Sequence, residues 1–302
     1  MAGLSAQVRQ DRAELGIVMM LVAYLLFATL DTSVKWLVVG GVHAFQLAFF
    51  RYVGHFAISL IMIGGGGLSW SRFGSGQIGL VILRAVFLVG STVLNFVALN
   101  YLTLTVTSAI LFSAPIIVCA LSMPLLGERV GPWRWFAILM GFAGVMVIIR
   151  PFGEAFHPAA LLSVVNAIMM ALYSILTRRL AGQIAAQTMQ LYAGAVGTLA
   201  LLPFAIMTWR TPQTGLEWGL MIALGFWGWL GHELLTRAHG FAPAGTLMPY
   251  TYSFMIYLTI SGYAVFGNLP DRWTVIGAAI VVVSGLLIWW REKRMEVRHG
   301  RG

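Results

Sequence analysis

Long apolar segments follow one another along the whole chain, separated by short stretches rich in glycine, proline or charged residues. A helix needs about 20 apolar residues to cross the hydrocarbon core of a bilayer, because each residue advances it by about 1.5 Å. Ten segments approach this length, and we predict one membrane-spanning helix for each of them: 15–37, 44–63, 77–98, 103–125, 132–149, 158–177, 187–208, 217–238, 242–266 and 272–290.

Two of the predicted spans contain a proline near their middle. Pro115 lies in the fourth span and Pro249 in the ninth. Proline has no backbone N–H, so it frees a carbonyl oxygen of the preceding turn. Inside a membrane such a carbonyl is tolerated where it lines a cavity, which is also where transporters bind substrate. Proline is also common in membrane helices where it simply bends them, so each of the two either breaks its helix at the substrate site or only bends it.

The composition excludes an ordinary soluble domain. Of 302 residues 59% are hydrophobic and only 10% are charged, and the mean hydropathy is +0.86. Soluble domains carry about 25% charged residues to keep their surface hydrated. The single cysteine, Cys119, excludes an internal disulfide and a cysteine-based metal centre.

The basic residues are distributed unevenly between the two sides of the predicted bundle. Four lie on one side: Lys35, Arg150, Arg210 and Arg272. Thirteen lie on the side that holds both termini: Arg9, Arg12, Arg72, Arg129, Arg134, Arg178, Arg179, Arg237, Arg291, Lys293, Arg294, Arg298 and Arg301. Basic loops are retained in the cytoplasm during insertion, so we predict that both termini are cytoplasmic. The net charge of +9 then reflects topology and not nucleic-acid binding.

The two halves of the chain resemble each other. Gly127 and Trp133 recur 140 residues later as Gly267 and Trp273. Each half contains five predicted helices, an odd number, so the second half must enter the membrane from the opposite face. We predict an all-α integral membrane protein built from two inverted five-helix repeats, 1–150 and 151–302, the second ending in a short basic tail. Such repeats are typical of secondary transporters.

Several local sequences carry a resemblance to a known family. They are Arg51, Ala98-Leu99-Asn100-Tyr101, Ala114-Pro115, Pro124-Leu125-Leu126-Gly127-Glu128-Arg129, and Asp31 with Lys35. With the ten-span plan, the chain resembles the EamA-type drug/metabolite transporters over its whole length. The second half departs from the family pattern, because Gly267-Asn268-Leu269 replaces the acidic ending of the first. The resemblance implies a bacterial inner-membrane protein that transports small metabolites by alternating access, and among its members the amino-acid exporters, including those for aromatic amino acids, are the most similar.

Polar and aromatic residues inside the spans are the candidate substrate ligands. Hydroxyl, amide and aromatic groups suit a zwitterion with an apolar side chain. The candidates are Tyr24, Asp31, Asn95, Ser113, Pro115, Asn166, Tyr173, Trp227, His232, Tyr250, Tyr252 and Ser253.

A second set of ionisable residues is a candidate for coupling or gating, because burying charge in a membrane is costly. It comprises Asp31, Lys35, Arg51, His55, Glu233 and Arg237. Asp31 and Lys35 are one turn apart and are predicted to pair, unless Asp31 meets a substrate amino group. Glu233 either pairs with Arg237 or titrates with His232 during transport. Arg51 either recognises a carboxylate, as a guanidinium does, or caps carbonyls or pairs with Asp31.

Other functions remain open at this level. One alternative is uptake of a nucleoside-like metabolite or a vitamin, and another, of a different class, is a membrane-embedded lipid-modifying enzyme. The sequence has no Walker-type phosphate loop and no metal-ligand spacing of histidines, so no cofactor or metal is predicted. We expect small molecules, most of all amino acids, and the lipid bilayer as partners, with a monomer as the expected state and a dimer as the alternative.

Overall fold

A computed structural model describes residues 13–64, 77–126, 132–151, 156–180, 183–242 and 247–299. These residues contain helices and no strand. The helices are α1 (Ala13–Val39), α2 (Ala44–Gly64), α3 (Ile78–Tyr101), α4 (Leu104–Leu111), α5 (Ala114–Leu126), α6 (Pro132–Ile149), α7 (Ala159–Leu180), α8 (Ala186–Met207), α9 (Gly215–Phe241), a 3₁₀ helix (Met248–Tyr252), α10 (Ser253–Phe266) and α11 (Arg272–His299). The Gly-Glu-Arg sequence at 127–129, together with Arg9, Arg12, Arg72 and Arg301, lies outside the described residues.

The described helices are those of an integral membrane protein. Seven apolar stretches are long enough to cross a bilayer: Ala13–Val39, Ala44–Met62, Ile78–Tyr101, Leu104–Leu121, Ala159–Leu180, Ala186–Met207 and Arg272–Arg291. A shorter one, Trp135–Ile149, lies in α6. The all-helical membrane fold is thus confirmed, while the count of ten spans and the cytoplasmic termini stay predictions.

The outer surface of the bundle is apolar. The side chains of Met207, Ile61 and Leu199 are 82%, 73% and 72% exposed, and those of Leu139 and Phe142 on α6 are also mostly exposed. A soluble monomer rarely exposes so much contiguous apolar area. Lipid contact accounts for these side chains, because hydrocarbon solvates them without cost.

Both spans with a proline near their middle are interrupted there. The fourth consists of α4 and α5, and the chain between them turns at Phe112 and Ser113, where the Ser113 N–H donates to the carbonyl of Ile110 at 3.0 Å. Pro115 then lies in the first turn of α5, where its missing N–H costs no hydrogen bond. In the ninth span Pro249 lies in the first turn of the 3₁₀ helix rather than in mid-helix.

Four helix pairs make the most extensive contacts in the bundle: α1 with α9, α2 with α8, α3 with α7, and α6 with α11. One apolar core lies among α1, α2, α3, α9 and α10. A second lies among α4, α5, α6, α7 and α11. The polar residues described below lie beside the first core, where α1, α2, α3 and α9 approach one another.

An ion pair joins the end of α6 to the start of α11. Arg150 Nη2 lies 2.6 Å from Asp271 Oδ2. Asp271 also caps α11, because its Oδ1 accepts the Thr274 N–H at 2.8 Å. Partial burial alone would raise the pKa of Asp271, but the hydrogen bonds from Thr274 and the charge of Arg150 outweigh it, so the pKa is lowered.

We expect Asp271→Asn to lower thermal stability slightly at pH 7, because asparagine keeps the helix cap and loses the charge. A partly exposed ion pair is worth about 0.2–1 kcal/mol. A lowered pKa in the folded state means that this contribution is full above the ordinary carboxyl pKa and disappears as the pH falls through the folded value. Melting curves of the two proteins should therefore converge at acid pH.

The variant Asp271→Ala separates the two roles of this side chain. It removes the cap as well as the charge, and a lost cap costs about 0.5–2 kcal/mol at any pH. If Asp271→Asn melts like the wild type at pH 7 while Asp271→Ala does not, the ion pair contributes nothing.

Candidate functional site

The Asp31 carboxylate lies at the contact between α1 and α3. It is 8% exposed, and both of its oxygens accept hydrogen bonds from the Asn95 side-chain amide, each at 3.2 Å. Within the described residues no lysine or arginine lies within ion-pair distance of Asp31. A buried carboxylate held only by a neutral amide keeps most of its capacity to bind a cation.

The Arg51 guanidinium, which belongs to α2, contacts α3 about one helical turn before Asn95. It donates to the Thr92 hydroxyl, which is also 2.8 Å from the Tyr52 hydroxyl. Thr92 and Asn95 are three residues apart, so their side chains are neighbours on α3. Through Asn95 and Thr92, α3 therefore contacts the carboxylate of Asp31 on α1 and the guanidinium of Arg51 on α2, which form no ion pair with each other.

Two histidines continue the polar group from α2 to α9. His55 lies one turn after Arg51, is 3% exposed, and its ring centroid is 6.2 Å from that of His232. His232 in turn packs edge-on against Phe27, at 5.0 Å between centroids. We call Asp31, Asn95, Thr92, Arg51, His55 and His232 the polar cluster.

An aromatic row begins where the polar cluster ends. Phe27 packs against Tyr24 at 6.2 Å, Tyr24 against Phe254 at 5.9 Å, Phe254 against Phe112 at 6.4 Å, and Phe112 against Tyr252 at 5.1 Å. Phe112 lies at the interruption of the fourth span, and Tyr252 with Phe254 lies where the 3₁₀ helix meets α10. Both interruptions thus contribute aromatic side chains to one row.

Lys35 has different partners from those predicted. Its ammonium donates to the carbonyls of Leu99 and Leu102, at 2.9 and 2.7 Å, and not to Asp31. These carbonyls close α3, where the unsatisfied C=O groups make the helix end negative. The predicted Asp31–Lys35 pair is wrong, because the long lysine side chain reaches a better acceptor on the neighbouring helix.

The structure separates two candidate ligands from the polar cluster. Asn166, only 1% exposed, accepts a hydrogen bond from Ser91 at 2.6 Å inside the contact between α3 and α7. Tyr173 accepts a hydrogen bond from Arg84 at 2.7 Å, and Arg84 also donates to Thr177. Both groups join α3 to α7 and have their hydrogen-bonding partners within the protein.

Glu233 forms a local ion pair with Arg237, which was one of the two alternatives for this residue. Its Oε1 lies 2.7 Å from Arg237 Nε, four residues further along α9, and Arg237 is largely exposed. Glu233 therefore points away from its neighbour His232, since adjacent helix positions differ by about 100°. The pair stabilises one turn of the helix.

Three further candidates, Ser113, Tyr250 and Ser253, lie near the two interruptions, and Trp227 lies within α9. Ser113 donates to the Ile110 carbonyl and Ser253 to the Tyr250 carbonyl, both at 2.7 Å within their own chain segments. Tyr250 is 37% exposed, and Trp227 is half-buried against the first core. These hydroxyls stabilise the interrupted backbone.

Sequence reasoning missed several members of the site: Thr92, Phe27, Phe112 and Phe254. Thr92 was detectable, because it precedes Asn95 by three residues and so shares its helix face. The three phenylalanines were not, since phenylalanine is equally common at the core positions of an apolar helix.

The site can bind opposite charges and a flat apolar group together. The polar cluster offers a carboxylate, a guanidinium and two imidazoles, and the aromatic row offers ring faces and edges next to them. No group of three or more potential metal ligands occurs in the described ranges. The arrangement suits a small zwitterion with an aromatic part.

Comparison with known proteins identifies a family that matches most of the chain. The sequence profile of the EamA-like transporter family matches residues 14–150 and 157–290. Three curated relatives are similar over most of their length. They are an S-adenosylmethionine uptake transporter of Rickettsia felis (29% identical, 83% of this chain and 85% of the relative), a riboflavin transporter of Rhizobium johnstonii (27%, 97% and 96%), and a pseudopaline exporter of Pseudomonas aeruginosa (26%, 91% and 95%).

A solved crystal structure shares the fold. It superimposes with a TM-score of 0.63 over 90% of this chain and 96% of that chain, at 22% identity. At this level of identity the similarity extends to the fold alone.

Proposed function

We propose that this chain, which belongs to the EamA-like transporter family, carries an α-amino acid with an aromatic or other neutral side group across the membrane. It is a multi-pass membrane transporter of small metabolites; the substrate class is our inference. The observation that carries it is the buried, unpaired Asp31 carboxylate beside the aromatic row.

A substrate ammonium group is the natural partner of Asp31. Among the described residues the carboxylate is bound only by the Asn95 amide, so an ammonium would supply the charge-assisted hydrogen bonds that it lacks. A planar side group would then lie towards Tyr24 and Phe254, where edge-to-face ring contacts are available.

Alternating access between two inverted repeats is the mechanism that we propose. The family profile matches the chain in two stretches that divide it near residue 150. Helix packing supports the same division: if α1 corresponds to α7 and α3 to α9, then the contact of α1 with α9 has its counterpart in the contact of α7 with α3. The contacts of α2 with α8 and of α6 with α11 would each lie on the symmetry axis.

Export of amino acids and uptake of a nucleoside-like metabolite both fit this site. The relative from Rickettsia felis is named for uptake of S-adenosylmethionine, a molecule with an α-amino-acid head and a purine ring. The relative from Pseudomonas aeruginosa is named an exporter. Family membership favours either of them over a lipid-modifying enzyme.

A counterflow assay in proteoliposomes tests the substrate class. Liposomes loaded with unlabelled phenylalanine, tyrosine, S-adenosylmethionine or riboflavin are mixed with the same compound in labelled form. We expect accumulation of at least one compound that carries an α-amino-acid head. Protein-free liposomes give the background, and accumulation of riboflavin alone would contradict the proposal.

A further inference from the structure

We propose that Arg51, His55 and His232 form an oxyanion subsite that binds the carboxylate of the substrate. This inference rests on the proposed function, since it assigns the second charged group of the same ligand. It also explains why Arg51 and His55 are buried inside a membrane protein, with the half-buried His232 beside them.

Each of the three side chains has an unused nitrogen. Arg51 Nε, His55 Nε2 and His232 Nε2 are buried and have no hydrogen-bond partner among the described residues. Buried N–H donors are almost always paired in proteins, because an unpaired donor loses its hydration without compensation. Three such nitrogens in one place therefore call for an acceptor that the described part of the chain does not provide.

The other two buried cations behave differently. Arg84 donates from all three nitrogens, to Thr177, Met189 and Tyr173, and Lys35 donates to two carbonyls. Arg51 donates from Nη1 to two hydroxyls, and its Nε has no acceptor in the described part of the chain. The fold thus supplies hydrogen-bond acceptors for Lys35 and Arg84, whereas the described residues supply none for Arg51 Nε.

Two helices bring the unused nitrogens together. Arg51 and His55 are one turn apart on α2, and His232 faces His55 from α9 at 6.2 Å between ring centroids. On α9 a glycine, Gly228, lies opposite Arg51, where an added Cβ would be 3.3 Å from Nε. Glycine at this position lets α9 pack closely over Arg51 Nε without placing a side chain, or a side-chain acceptor, beside it.

Charge balance favours a carboxylate over a phosphate. Asp31 and Arg51 contribute one negative and one positive charge, and each neutral imidazole adds one N–H donor in the tautomer that carries its proton on Nε2. A zwitterionic amino acid with its ammonium on Asp31 and its carboxylate on Arg51 leaves this group neutral. A phosphate dianion would leave a net charge buried in the membrane, which is costly.

The test compares phenylalanine with phenylethylamine, which lacks the carboxylate, as competitors of a labelled amino acid bound by the purified transporter. We expect the wild type to bind phenylalanine about 10–100-fold more tightly, since hydrogen bonds to charged groups have this strength. In Arg51→Gln the ratio should fall towards one, and in Arg51→Lys it should lie between the two. Arg237→Gln, which removes an exposed cation of α9, is the matched control and should keep the wild-type ratio.

Several results would contradict the proposal of an oxyanion subsite. One is an Arg51→Gln protein that binds amino acids with an unchanged ratio. If Arg51→Gln does not fold, His55→Asn and His232→Asn take its place, and an unchanged ratio in both has the same meaning. Stronger competition by inorganic phosphate than by phenylpropanoate would assign the subsite to phosphate and reject the carboxylate.

A different set of results is expected if the protein does not carry amino acids at all. If the wild type binds no amino acid, the probe becomes phenylpropanoate alone, measured by its effect on the melting temperature. Stabilisation that disappears in Arg51→Gln would support the oxyanion subsite without an amino-acid substrate. The absence of such stabilisation would reject both proposals.

Discussion

Replacing Asp31 by asparagine should abolish amino-acid counterflow while leaving the folded protein intact. Asparagine has nearly the same shape and can still bond to Asn95, so the contact between α1 and α3 persists. It offers no charge to a substrate ammonium, and a charge-assisted hydrogen bond is worth about 1.5–3 kcal/mol. We expect at least about a tenfold loss of affinity and no accumulation above protein-free liposomes.

Glu233→Gln is the matched control for Asp31→Asn. It removes a carboxylate from a helix of the same bundle, but this carboxylate is paired locally with Arg237. We expect near-normal counterflow, with a stability loss within about 0.5 kcal/mol for a pair of this kind. Equal losses in Asp31→Asn and Glu233→Gln would show that any charge removal impairs the protein, and would reject a specific role for Asp31.

The control also decides between the two interpretations of Glu233. If Glu233 were a proton carrier, its replacement would remove the pH dependence of transport. The ion pair with Arg237 favours a local role, so we expect an unchanged pH profile in Glu233→Gln. An altered pH profile in Glu233→Gln would restore the coupling hypothesis.

Sequence reasoning was most reliable where a local property decides the structure. Apolar length predicted helices, and the prolines at 115 and 249 indicated where two spans either bend or break. The pairing of Glu233 with Arg237 also followed from spacing, since both partners lie on one helix. In each case the residues that determine the outcome are close together in the chain.

Contacts between side chains on different helices could not be predicted from the sequence. Asp31 meets Asn95, 64 residues away, and Lys35 reaches the end of α3 at a similar separation. Which carbonyls or amides a side chain meets depends on helix packing, and a single sequence carries little information about it. For the same reason Asn166 looked like a substrate ligand but lies in a packed interface with Ser91.

The polar cluster depends on how closely α2 and α9 approach each other. Gly54 on α2 and Gly225 on α9 lie backbone to backbone, and a Cβ added at Gly225 would come within 2.5 Å of the Gly54 Cα and 3.1 Å of the His55 backbone nitrogen. Small residues at such contacts let membrane helices pack closely. Because His55 follows Gly54 directly, the same contact sets the distance between His55 and His232.

We therefore expect Gly225→Ala to lower the melting temperature in detergent and to abolish transport, because neither backbone can move aside and α2 must separate from α9. Overpacking of this kind costs about 1–3 kcal/mol. Gly219→Ala is the matched control on the same helix, since a Cβ there would meet no atom within 4 Å and alanine favours helix. It should melt at or slightly above the wild-type temperature and transport normally. If Gly225→Ala retains both wild-type stability and transport, the close approach of α2 and α9 does not position the polar cluster.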